Sequence, residues 1–190
     1  MIVQQRVTVE EFLQLPEQKP YLELIHGFAR QKAMPSAPHS YMQVQLGRRL
    51  ANWSDLAGGF VLSEQRCILR IDGETQVVLP DLAWFPADTL PSLPAGAIHV
   101  PPALAVEILS PDDRYGEVQD KVSVYLQAGV MVVWVVDPLA RKVTVYGPSS
   151  VLRVVSPPAV LSDPALSGLE IPLEDLFSRL PEQSQPAVEA

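Results

Sequence analysis

The uninterrupted apolar run from Val130 to Val136, closed by Asp137-Pro138, has no polar face to turn toward water and must be covered on both sides. Upstream, Ala103-Leu104-Ala105-Val106-Glu107-Ile108-Leu109 reads as a second strand, and Tyr115 to Ala128, closed by Gly129, as a helix. Strand, helix, strand in that order is a crossover between parallel strands, whose expected hand is right. Lys142 to Tyr146 alternates and is expected to return as a hairpin partner of the Val130–Val136 strand. The remaining strands read as antiparallel, so the sheet is mixed.

Glu107 interrupts the apolar pattern of its strand, and Asp81 does the same in Val77-Val78-Leu79-Pro80-Asp81-Leu82-Ala83-Trp84-Phe85. A carboxylate among aliphatic residues is costly to bury unless a cation or a donor meets it. Two of them in one sheet are what a divalent metal site needs, and oxygen ligands favour Mg²⁺ or Mn²⁺ over zinc. Asp81 and Glu107 are therefore candidate metal ligands, with the backbone carbonyl of Ile108 as a third. A metal there would polarise a phosphoryl oxygen, deliver a hydroxide, or both. Glu23, in Leu22-Glu23-Leu24, is a further candidate ligand or a holder of metal-bound water. Lys121, on the helix after the Glu107 strand, is placed to orient the nucleophilic water and stabilise developing charge. His39, which follows Pro38 at the start of a long helix, is a candidate for contact with a substrate phosphate.

Each candidate also has a plainer reading. Pro-Asp is a common turn dipeptide. Glu107 would be unremarkable on a solvent-facing edge strand. Alternation sets Glu23 and Ile25 opposite Leu22, Leu24 and His26, which also suits an exposed carboxylate. Lys121 follows Glu117 by four residues, and a solvated helix pair of that kind contributes only ~0.3–0.5 kcal/mol. His39 equally suits a helix terminus.

The rest of the chain supplies a frame. Thr8 and Glu11 have the spacing of a capping box, and Pro16 stops the helix they start. Tyr21 to Gly27 reads as a strand with Phe28 to Ala33 as its return, followed by the rigid loop Met34 to Pro38. From His39 to about Leu56, the positions Met42, Leu46, Leu50 and Trp53 recur at helical spacing, and Gly58-Gly59 ends the helix. Phe60 to Ile71 is expected to be one long strand, joined through the turn Asp72-Gly73-Glu74 to the strand carrying Asp81. Pro86 to Pro102 is a proline-rich surface loop.

Length and charge narrow the function. The 190 residues suit one domain over 1–180 with a flexible tail from 181 to 190. No apolar run approaches the ~20 residues that span a bilayer. Met1 to Arg6 lacks the pattern of a secretory signal, so a cytoplasmic protein with no membrane partner is expected. The net charge of −8 opposes indiscriminate nucleic-acid binding through a broad basic surface. The single cysteine, Cys67, excludes a multi-cysteine zinc site and suits a small buried hydrophobe. There is no nucleophile elbow and no phosphate-binding glycine loop. Trp53, Trp84 and Trp134 sit in apolar elements and read as core.

Pro80-Asp81 followed by Glu107-Ile108-Leu109 looks like the signature of the PD-(D/E)xK nucleases. More broadly, the chain resembles a large restriction-endonuclease-like family within that superfamily. The matching stretches are Tyr21-Leu22-Glu23-Leu24-Ile25-His26-Gly27, His39, Leu79-Pro80-Asp81-Leu82 and Val106 to Pro111. They continue with Asp120-Lys121 and Tyr125, Ala128-Gly129-Val130, Trp134 to Pro138 and Leu166 to Pro172. The resemblance implies an α/β fold with a restriction-endonuclease-like mixed β-sheet flanked by α-helices. It also implies Mg²⁺- or Mn²⁺-dependent hydrolysis of nucleic acid, DNA before RNA, in which Asp81, Glu107, Lys121 and Glu23 do the chemistry. The signature's lysine would fall at Leu109; in this family it has moved to the following helix, where Lys121 stands. His26-Gly27 replaces the family's usual Asp-Gly, Glu117 a usual Asp, and Asp120 a usual Glu. The competing reading is a catalytically inactive binding or assembly module on the same fold. A homodimer would fit the apolar excess, and so would burial in a monomer core.

Overall fold

The computed structural model describes residues 6–147 and 152–180. The chain enters through α1 (Val9–Leu13), capped reciprocally: the Glu11 amide donates to Thr8 Oγ1 at 3.2 Å and the Thr8 amide to Glu11 Oε2 at 2.8 Å. β1 (Leu22–Ile25) and β2 (Phe28–Gln31) form a hairpin through His26-Gly27. Both turn residues have positive φ, 52° and 78°, as a two-residue turn of the primed type requires, so position 27 needs glycine. Helix α2 (Ala37–Ala57) starts two residues before the expected His39, because Ser36 accepts the His39 amide and the first turn tolerates Pro38.

The expected long strand from Phe60 to Ile71 is two strands. β3 (Phe60–Ser63) and β4 (Cys67–Ile71) are separated by Glu64, whose φ is 49°, and they lie in different sheets. The return is broken too: β5 (Glu74–Val78) pairs with β4, and β6 (Leu82–Phe85) pairs with β3. Pro80 has no amide hydrogen to continue a ladder, and its carbonyl accepts the Glu64 amide at 3.1 Å. One long hairpin thus steps from one sheet to the other, and Asp81 sits at the corner instead of within a strand.

β4 and β5 join the first hairpin in a four-stranded antiparallel sheet ordered β2-β1-β5-β4. The second sheet adds β7 (Leu104–Ile108), β8 (Val132–Asp137), β9 (Lys142–Tyr146) and β10 (Leu152–Val155), in the order β10-β9-β8-β7-β6-β3. Its β7–β8 pair is parallel and joined by α3 (Tyr115–Gln127), while its other pairings are antiparallel. The short pair β11 (Val160–Leu161) and β12 (Ile171–Pro172) leads into α4 (Leu173–Phe177).

Helices cover both faces of the six-stranded sheet. Met42, Leu46 and Leu50 of α2 pack with Leu82, Trp84, Val106 and Trp134 on one face. On the other, Val118, Val122 and Tyr125 of α3 pack with Ala83, Phe85, Ala105, Val133 and Val135. β8 is buried on both faces, which is why its sequence shows no alternation. Trp84 and Trp134 are core and Cys67 is fully buried, while half-buried Trp53 packs against Trp84. The Pro86–Pro102 loop is mostly exposed but anchors Leu90 and Ile98 inside. Among the described residues, no helix is long and apolar enough to cross a membrane. The tail expected from 181 to 190 lies outside the described residues.

Candidate active site

Leu82 pairs with Val106 across β6 and β7. One residue beyond that pair, Asp81 comes opposite Glu107, on the sheet face that α3 covers. Glu23 arrives from β1, Lys121 from α3 and His39 from the first turn of α2. All five, with Ile108, line one cavity of about 370 Å³.

Two lysines organise the carboxylates. Lys121 Nζ bridges Glu107 Oε1 at 2.7 Å and Glu23 Oε1 at 2.9 Å. Tyr125, one helical turn further along α3, donates its hydroxyl to Glu107 Oε1 at 2.6 Å, and the Leu79 amide donates to Glu23 Oε1 at 2.7 Å. At Asp81, Lys32 Nζ donates to Oδ1 at 2.7 Å, and the Ile108 amide donates to Oδ2 at 2.6 Å. His39 Nε2 lies 3.2 Å from the same Oδ2, and Gln43 donates to the Asp81 carbonyl at 3.0 Å.

These contacts decide among the alternatives left by the sequence. Glu23 is not an exposed carboxylate: it is 4% exposed. Lys121 does not pair with Glu117, which faces Arg114 at 3.8 Å, and is itself buried. Glu107 lies on an interior strand flanked by β6 and β8. The capping role belongs to Ser36, while the His39 ring reaches Asp81 and leaves a buried Nδ1 without a partner. Ile108 enters the site through its amide, as the donor that orients Asp81.

Lys32 and the role of Tyr125 escaped the sequence reading. Lys32 directly follows β2 in the polar stretch Arg30-Gln31-Lys32, which looks like the exposed end of a hairpin. Tyr125 left a usable signal, since a residue four beyond a candidate catalytic lysine shares its helix face.

Burial and charge pull the site residues apart. Burial would raise Asp81, but Lys32, His39 and Lys121 together hold its carboxyl well below the usual range. For Glu107 burial wins: with Asp81 and Glu23 adding repulsion against the help of Lys121 and Lys32, its carboxyl is pushed up to about 7. Burial also opposes the charge on Lys32, yet the carboxylates of Asp81, Glu107 and Glu23 outweigh it and hold the ammonium above its ordinary value. Lys121 is raised in the same way by Glu107 and Glu23. Paired groups with separated affinities for a proton are a mark of functional sites. Removing the Tyr125 hydroxyl tests the balance: Tyr125→Phe is expected to lose about 1.5–3 kcal/mol by urea unfolding where Glu107 is ionised, and less once it is protonated. A loss unchanged between pH 6 and pH 8.5 would show that the bond does not depend on the Glu107 charge.

The carboxylate oxygens of Glu23, Asp81 and Glu107 are the donor type a hard cation takes, and with all three ionised and both lysines charged the cluster has one net negative charge. Among the described residues no three His, Cys, Asp or Glu side chains converge as a preformed cage, since the ammoniums of Lys32 and Lys121 stand among the carboxylates. Both bonds described for Glu107 fall on Oε1.

A mixed sheet covered by helices, with a buried Asp–Glu–Lys cluster where its strands meet a corner, defines the fold as restriction-endonuclease-like. The chain belongs to the Uma2 family, whose model, described as "Putative restriction endonuclease", matches residues 9–174. It is also similar to a crystal structure from Anabaena variabilis described as a putative nuclease belonging to DUF820. The two share 31% identity at a TM-score of 0.81, over 90% of this chain and 98% of that one. No curated protein matches the chain.

Proposed function

We propose that the protein is a Mg²⁺- or Mn²⁺-dependent nuclease that hydrolyses phosphodiester bonds, with DNA as the substrate before RNA. The observation that carries this reading is the convergence of Asp81, Glu107 and Lys121 in one cavity of a restriction-endonuclease-like fold. Asp81, Glu107 and the Ile108 carbonyl are the proposed ligands, and the cation they hold would polarise the scissile phosphate and activate water. Lys121 orients the nucleophilic water and meets the charge that develops on the phosphoryl oxygens. Glu23 holds Lys121 in position. His39 steadies Asp81 through Nε2 at the cavity wall and is the proposed contact to the substrate phosphate. The proposed unit is a single cytoplasmic domain over 1–180, acting as a homodimer where two strands are cut.

Labelled single- and double-stranded DNA and RNA, incubated with Mg²⁺ or Mn²⁺ and with chelator, test the reading. Cleavage that needs the metal and disappears in Glu107→Gln is expected. Nucleic-acid binding without cleavage under every condition would favour the non-catalytic module instead.

The pH dependence has a defined sign. Below about 7 Glu107 carries a proton that a cation must displace, so metal affinity and cleavage rate should rise as pH increases through 7. Rates measured from pH 5.5 to 8.5 at fixed subsaturating Mn²⁺ check this. A flat profile would remove Glu107 from the ligand set.

A further inference from the structure

Lys32 has no counterpart in the motif that identified the site, yet it makes a direct ion pair with the first proposed metal ligand. Its ammonium lies 2.7 Å from Asp81 Oδ1 and 2.7 Å from the Leu79 carbonyl. The other carboxylate oxygen, Oδ2, is taken by the Ile108 amide and His39. A carboxylate offers about four acceptor positions, so these donors leave Asp81 little free capacity. They differ in freedom to move. The Ile108 amide is fixed at the end of a central strand, and the His39 ring is carried by α2 and buried. Lys32 ends a flexible four-carbon stem, is 13% exposed along its side chain, and lines the open cavity.

A divalent cation at Asp81 would bring two like charges onto one buried carboxylate, where their repulsion is stronger than in bulk water. We infer that Lys32 is a tethered counter-ion: it holds Asp81 while no metal is bound, competes with the divalent cation for Oδ1, and withdraws from Asp81 when the cation arrives. This rests on the metal-site reading above. It adds a positioning residue outside the Asp–Glu–Lys set, and it implies that the cation alone binds more weakly than these carboxylates would allow without Lys32.

Calorimetric titration of Mn²⁺ into the wild type, Lys32→Met and Lys32→Arg tests it. Methionine keeps most of the stem and removes the charge, and arginine restores the charge. The inference expects Lys32→Met to bind Mn²⁺ about tenfold more tightly than the wild type, and Lys32→Arg to return toward wild-type affinity. A purely structural ion pair would cost stability without tightening metal binding. Wild-type binding with an unchanged or weaker Lys32→Met overturns the role of Lys32 and leaves the metal site standing. No binding by either protein overturns both.

Should Lys32→Met fail to fold, the wild type carries the test through acetylation of its lysines, mapped by mass spectrometry. Saturating Mn²⁺ should speed modification of Lys32 severalfold as it leaves Asp81. Equal or slower modification overturns the inference.

Discussion

Lys121→Met is expected to lower the unfolding free energy by about 3–5 kcal/mol at pH 8, the cost of removing one partner from a buried ion pair. Lys121 is the shared cation of Glu107 and Glu23, which are 6% and 4% exposed, so its loss leaves two buried carboxylates facing one another. The deficit should shrink toward pH 6. Glu107 is already pushed up to about 7 by burial, with Lys121 the strongest influence holding it down. Without Lys121 it takes up a proton more readily, and a neutral carboxyl relieves the repulsion. The sign follows from linkage: a carboxyl whose folded pKa is raised adds stability below its unfolded value and loses it as pH rises through the folded one. Urea unfolding of both proteins at pH 6 and pH 8 checks this. A deficit under about 1 kcal/mol, the size of a solvated surface pair, would mean that Lys121 is not buried between the two carboxylates. Cleavage should fall with it, since Lys121 is the proposed charge stabiliser.

Asp81→Asn is expected to abolish saturable Mn²⁺ binding and to lower cleavage by about a thousandfold, equivalent to roughly 4 kcal/mol of transition-state stabilisation. Its stability cost should be smaller than that of Lys121→Met. Asparagine can still accept the Ile108 amide, and the unpaired Lys32 can swing toward the cavity opening. Near wild-type activity in a folded Asp81→Asn would exclude Asp81 as a ligand. The contrast between the variants separates function from folding: one removes a charge whose partners cannot escape, the other a charge whose partner can.

The architecture was legible where burial leaves a one-dimensional trace. From Val132 to Val136 the run is apolar throughout because β8 is buried on both faces, by α3 on one and by the core of α2, β12 and α4 on the other, while Met131 before it is exposed; the crossover followed from its neighbours. Asp81 and Glu107 stood out because each interrupts an apolar stretch. Glu23 was ambiguous because alternation alone cannot distinguish a solvent face from a face covered by α3. The break at Glu64 left no mark, since a non-glycine residue with positive φ has no compositional signal, and its amide is held at the corner by the carbonyls of Pro80 and Asp81, far off in sequence. β10 to β12 and α4 are too short to show a period, although β10 and β11 pair with strands close by in sequence. Lys32 is hidden for a different reason: it pairs with a residue 49 positions away, and its own neighbours are polar.

The central claim is that Asp81 and Glu107 jointly hold one divalent cation. Calorimetric titration of Mn²⁺ at pH 8 into the wild type, Asp81→Asn and Glu107→Gln tests it most directly. The account predicts one saturable site in the wild type that each substitution alone removes, with circular dichroism confirming that both variants remain folded. No saturable site in the wild type, or one that survives in either folded variant, would contradict it.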